Sequence, residues 1–167
     1  MPDDVNAALA ILERAMGIEQ EGHRFYLKAA QATEDKDGQE TFATLADDEL
    51  KHYDLIKRQH TALTNEGIWV AVPEINPVPV DLDRPLFPEG IRDLQKEVKP
   101  RSSNRDALLF GLDIEIKSYE LYRKGASETG DPLGKQMFEF LAGQEQSHFD
   151  ILMMRFDALF GPISWRY

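Results

Sequence analysis

The chain has 167 residues and 42% apolar content, which fits a single soluble globular domain around one substantial core. Its 30 acidic against 19 basic residues leave a net charge of -11, which opposes binding to nucleic-acid phosphates and anionic lipid, so neither nucleic acid nor a membrane is expected as a partner. There is no cysteine, which excludes disulfides, thiolate metal sites and thiol nucleophiles; any metal must be held by carboxylate and imidazole. The acidic start MPDDVNAALA lacks the basic and apolar regions of a secretory signal, so a cytoplasmic location is expected.

Four long helices are predicted from apolar spacing and end signals. The first starts near Asp3 or Asp4 and carries Val5, Leu9, Leu12, Met16, Tyr26 and Ala30 on one stripe, with Glu19 on the same face. The second begins between Asp35 and Gly38; its stripe Phe42, Leu45, Glu49, His52 and Ile56 is interrupted by a polar pair. A stretch from 64 to 103 follows, rich in proline (Pro73, Pro77, Pro79, Pro85, Pro88, Pro100) and carrying the apolar run Ile68 to Val72. It reads as a crossover, with a short helix expected near Pro88 to Lys99 and Trp69 covering either the bundle flank or a second subunit. Helix three presents Leu108, Leu112, Glu115, Tyr119, Tyr122 and Ala126. Helix four, opened by Asp131 and Pro132, presents Phe138, Leu141, Glu145, His148, Leu152 and Phe156 and stops at Gly161 and Pro162.

The two halves are one sequence written twice. Residues 18–54 and 114–150 agree at 14 of 37 positions without a gap, and the shared set includes Glu19/Glu115, Tyr26/Tyr122, Glu49/Glu145 and His52/His148. The organisation expected is one domain, with helical hairpins at 4–63 and 104–160 joined by the crossover. A connection that long suits a bundle in which helices two and three run parallel, because the chain must then return the full bundle length, roughly 42 Å for a helix of about 28 residues.

An E-x-x-H on a helix sets both side chains on one face a turn apart. A lone copy in a glutamate-rich helical protein would be an ordinary surface pair. Both copies here sit inside apolar stripes, where an ionised, unpaired carboxylate would cost several kcal/mol. Burial therefore calls for cations, and mixed carboxylate and imidazole donors suit iron, manganese or zinc better than calcium or magnesium. His23, whose repeat partner is Tyr119, is expected to be an ordinary packed or hydrogen-bonded histidine, and His60, Asp54 and Asp150 are expected at the surface. The Phe and Met residues of helix four are expected in the core.

Through E-x-x-G-x-x-F-Y at Glu19 to Tyr26, E-x-x-S-x-x-x-Y at Glu115 to Tyr122 and the two E-x-x-H motifs, the chain resembles the rubrerythrin-type members of the ferritin-like superfamily. The likeness covers residues 5–60 and 105–160. It implies an all-α, ferritin-like four-helix bundle with one long crossover between helices two and three. It implies two iron ions, with manganese or zinc as alternatives, held by Glu19, Glu49, His52, Glu115, Glu145 and His148. Glu49 and Glu145 would bridge them, and Tyr26 and Tyr122 would hydrogen-bond to ligand carboxylates. The same six residues would then be catalytic, reducing hydrogen peroxide or oxygen. Full-length rubrerythrins feed electrons through a cysteine-ligated rubredoxin iron, which a chain without cysteine does not hold, so the electron donor must be an external molecule. A homodimer or larger homo-oligomer is the further expectation. Two other readings stay open at this level: a ferroxidase that handles iron as substrate, and a non-catalytic bundle tied together by metal.

Overall fold

The computed structural model describes residues 3–75, 82 and 104–162. Within them lie four helices and no strand: α1 (Asp3–Ala32), α2 (Lys36–Glu66), α3 (Asn104–Glu128) and α4 (Pro132–Phe160). The repeat also fixes how its second helices begin. Asp35 caps α2 by accepting from the Gly38 amide at 2.7 Å, and its repeat partner Asp131 caps α4 by accepting from Leu133 at 2.8 Å, each satisfying an amide that the first turn leaves free. α2 runs past the expected boundary at Leu63 to Glu66. It ends where Gly67 adopts φ 68° and returns its N–H to the Leu63 carbonyl at 3.0 Å, a left-handed cap that glycine takes without a Cβ clash.

Contacts along the helices define their directions. α1 and α2 form an antiparallel hairpin, with Glu13 beside His60 and His23 beside Ala46. Tyr26 reaches Glu115 while Tyr122 reaches Glu19, so α3 runs antiparallel to α1 and hence parallel to α2. α4 returns against α3, pairing Ser118 with Glu145 and Gly125 with Phe138. Parallel second and third helices require one long crossover, and the result is the ferritin-like bundle expected from the sequence.

Two apolar clusters divide the bundle by height. One gathers Leu12, Ile56, Leu63, Tyr122, Phe138 and Leu141; the other gathers Tyr26, Phe42, Leu45, Leu108, Leu152 and Phe156. On every helix the acidic and histidine positions fall between them, so the polar residues sit at mid-height, sealed above and below. The stripes predicted for α2, α3 and α4 are buried throughout. On α1 the buried face is turned from the expected one: Ala8, Leu12, Ala15, Glu19, Gly22, Tyr26 and Ala29 face inward, whereas Val5, Leu9, Met16 and Ala30 are half-buried. Small residues let neighbouring helices come close, and an apolarity pattern underweights them.

Trp69 covers the bundle flank. Its ring meets Phe138 edge-on with centroids 5.7 Å apart, and lies where a Cβ on Gly134 would approach it to 2.6 Å. Gln59, fully buried in α2, holds this segment by both amide groups: Nε2 donates to the Val70 carbonyl at 2.7 Å and Oε1 accepts from the Val70 amide at 3.1 Å. The short helix expected near Pro88 to Lys99 lies outside the described residues.

Candidate metal centre

All four helices contribute to one buried cluster. Glu19, Glu49, Glu115 and Glu145 are wholly buried, and His52 and His148 nearly so. The arrangement repeats the sequence duplication in space. His52 Nδ1 lies 3.0 Å from Glu145 and 3.5 Å from Glu19; His148 Nδ1 lies 3.0 Å from Glu49 and 3.5 Å from Glu115. The imidazoles stack with centroids 5.4 Å apart and planes at 19°.

The donor atoms fall into two groups, Glu19, Glu49, His52 and Glu145, and Glu49, Glu115, Glu145 and His148, with the ligand atoms of each within 4.8 Å of one another. Glu49 and Glu145 belong to both. Each of the six side chains turns at least one buried polar atom inward that no hydrogen bond satisfies: Glu19 Oε2, both oxygens of Glu49, His52 Nδ1, Glu115 Oε2, Glu145 Oε1 and His148 Nδ1. The short N···O distances are therefore contacts of charge without hydrogen-bond alignment. Buried polar atoms ordinarily find partners, and these six residues orphan theirs toward a common centre. Carboxylate oxygens and imidazole nitrogens at this spacing are a donor set that fits divalent or trivalent metal.

Outer atoms of Glu19, Glu115, Glu145 and His148 have partners. Tyr26 donates to Glu115 and Tyr122 donates to Glu19, leaving one oxygen of each carboxylate facing inward. Ser118 Oγ donates to Glu145 Oε2 at 3.0 Å. Its repeat partner is Gly22, whose missing Cβ would stand 3.3 Å from Glu49 Oε2, so that bridge candidate has no such donor from α1. His148 Nε2 lies 3.3 Å from Asp48 Oδ2.

Electrostatics report the strain of this cluster. Burial, then the charges of Glu19, Glu145 and Glu115, push the Glu49 carboxyl well above the carboxylate range. Burial and the neighbouring Glu145 raise Glu115 to about 8. Burial works against the charged form of His52, but Glu19 and Glu145 outweigh it and raise that imidazole well above its ordinary value. His148 rises to about 11, since Asp48 and Glu115 overcome burial. Burial, then Glu115 and Glu19 respectively, lift the Tyr26 and Tyr122 phenols well above theirs, so both remain donors. The cluster thereby favours the protonated forms of Glu49, Glu115, His52 and His148.

His23 is a packed histidine as expected, bonded through Nδ1 to the Ala46 carbonyl at 2.7 Å. Asp54 and Asp150 are exposed. His60 departs from expectation: it is half-buried and lies 3.3 Å from Glu13 across the α1–α2 hairpin. Sequence reasoning quoted Ser118 only as part of the E-x-x-S-x-x-x-Y motif, without a role, and did not single out Asp48. Ser118 was visible as the residue one turn past Glu115 on the same face; Asp48 sits beside a ligand position, and only the packing of α2 against α4 turns it toward His148.

A four-helix bundle with a buried carboxylate and histidine group able to hold metal defines the ferritin-like class of metal-binding proteins. The chain belongs to the rubrerythrin family, whose model matches residues 10–156. A solved structure of a hypothetical protein from Pyrococcus furiosus superposes with a TM-score of 0.65 at 20% identity, covering 91% of this chain and 89% of that one, which supports the fold. No protein of curated function matches the chain. Among the described residues no helix is long and apolar enough to cross a membrane.

Proposed function

We propose that this chain, acting as one ferritin-like domain, binds two iron ions through Glu19, Glu49, His52, Glu115, Glu145 and His148 and reduces hydrogen peroxide or oxygen with electrons from an external donor. The observation that carries this reading is the sharing of Glu49 and Glu145 by two otherwise separate donor groups. Two carboxylates common to both groups suit a pair of ions better than one. Glu19 and His52 would complete one position, and Glu115 and His148 the other.

Bound iron would supply the redox chemistry, one electron from each ion, for the two-electron, two-proton reduction of hydrogen peroxide to two molecules of water. The protein's part is to fix the ligands and exclude competing reactions. Tyr26 and Tyr122 orient the terminal carboxylates by hydrogen bonds, and the apolar clusters above and below the centre keep bulk water from it. The electrons are taken to come from another molecule, a reading supported by the lack of any cysteine in these 167 residues to hold a rubredoxin iron.

Anaerobic loading with ferrous iron, followed by mixing with peroxide or with air, tests the reading through ferric absorbance. Two irons per chain, oxidised much faster by peroxide than by air, is the expected result. Uptake of fewer than two, or metal that does not respond to either oxidant, would leave a metal-tied structural bundle. Preferential oxidation by air with release of ferric product would instead indicate ferroxidase activity.

A further inference from the structure

The duplication makes the two halves of the centre nearly interchangeable, so the positions where the copies disagree carry information. Each half-site has one terminal glutamate, one histidine and the same two shared carboxylates. The ligands alone give no reason for one to differ from the other. The residue preceding the shared glutamate does differ: it is Asp48 in the first copy and Gln144 in the second.

Asp48 acts across the bundle. Its Oδ2 lies 3.3 Å from His148 Nε2, on the side of the ring away from the centre, while Oδ1 accepts from Lys51 at 3.0 Å. His148 Nδ1 is thereby left to face Glu49 and Glu115. At the corresponding position of the second copy the repeat supplies Gln144, an uncharged amide. A carboxylate that accepts an imidazole N–H fixes the tautomer, orients the ring and makes the other nitrogen a stronger metal donor. A neutral amide does this more weakly.

We propose that the two metal positions are inequivalent, and that Asp48, as a positioning residue for His148, makes the position framed by Glu115 and His148 the tighter one and the first to fill. The inference rests on the ligand reading given above. One opposing effect is present: Ser118 donates to Glu145 Oε2, the oxygen nearer His148, and withdraws electron density from a carboxylate that would serve this same position. A hydroxyl dipole acting on a shared ligand is a smaller influence than a full negative charge aimed at an unshared one.

Anaerobic titration of the metal-free protein with Co(II), read by calorimetry and by the visible ligand-field bands, tests this without reference to activity. Wild type is expected to take up two Co(II) in two resolved steps. Asp48→Asn should weaken the tighter step about 10- to 100-fold and leave the other in place, with two ions still bound. Gln144→Asp should tighten the weaker step and draw the two together, a gain that damaged folding does not produce. In the Co(II) form the exchangeable His148 Nε2–H, shifted by the paramagnetic ion, should exchange faster with solvent in Asp48→Asn. Ser118→Ala should leave the order of filling unchanged. Two ions bound with equal affinity in wild type, or Asp48→Asn loosening neither step or both alike, would overturn the inference while the ligand reading stands. Fewer than two Co(II) in wild type would overturn both.

Discussion

Tyr26, on α1, donates its phenolic hydrogen to Glu115, on α3. The duplicated pair, Tyr122 and Glu19, makes the same bond in the reverse direction. Both phenols and both carboxylates are fully buried, so these two reciprocal bonds stitch the halves together on either side of the centre.

Removing either hydroxyl strands a buried carboxylate oxygen. Tyr26→Phe and Tyr122→Phe should each destabilise the metal-free protein by about 1–3 kcal/mol, seen as a lower urea midpoint with unchanged slope. An unchanged midpoint would mean that the phenols are dispensable to the fold.

Glu49 is held well above the ordinary carboxylate range by burial and by three neighbouring glutamates. Glu49→Gln keeps the neutral form's shape and removes the ability to ionise and bind a cation. The metal-free variant should melt no lower than wild type, whereas the rise in Tm that Zn(II) or ferrous iron gives wild type should largely vanish, since binding to the native state alone produces it. Glu49→Ala combined with Glu145→Ala should abolish binding of the metal pair. Unchanged metal content in that double variant would refute the ligand assignment.

Proton linkage has a defined sign. Glu115 titrates near 8 in the fold and His148 near 11, both raised. Each therefore contributes stability that is complete below its unfolded value and is lost as pH rises through its folded one. The metal-free protein should lose urea resistance as pH rises from about 4.5 to about 11, most steeply between about 6.5 and 8, where both groups contribute. Metal must displace the same protons, so its affinity should climb over that interval, and calorimetry in buffers of differing ionisation heat should register proton release. Affinity independent of pH would contradict these shifts.

Two glycines should respond oppositely to alanine. A Cβ on Gly134 would stand 2.6 Å from the Trp69 ring, whereas one on Gly17, exposed on α1, meets nothing within 4 Å. Gly134→Ala should cost about 1–3 kcal/mol by displacing Trp69. Gly17→Ala should stabilise by about 0.5–1 kcal/mol, because glycine is the poorer helix former. Thermal melts of the two variants decide both, and a tolerated Gly134→Ala would show that Trp69 is not seated as described.

The sequence by itself determined the four helices, the cap at Asp131, the resemblance that implied the ferritin-like class, and which glutamates and histidines stand at equivalent heights. Those features are local or repeated: capping, a helical period, and a duplicated motif are all written along the chain. What only the tertiary structure decided depends on which surfaces meet. The inward face of α1 turned on Ala8, Ala15, Gly22 and Ala29, whose value is closeness of approach rather than apolarity. Gln59 gripping Val70, Ser118 reaching Glu145 and Asp48 reaching His148 each join residues whose relation is set by helix packing. Distance in the chain gave no sign of these pairings, because a side chain's partner across a bundle is fixed by the height and rotation of two helices together.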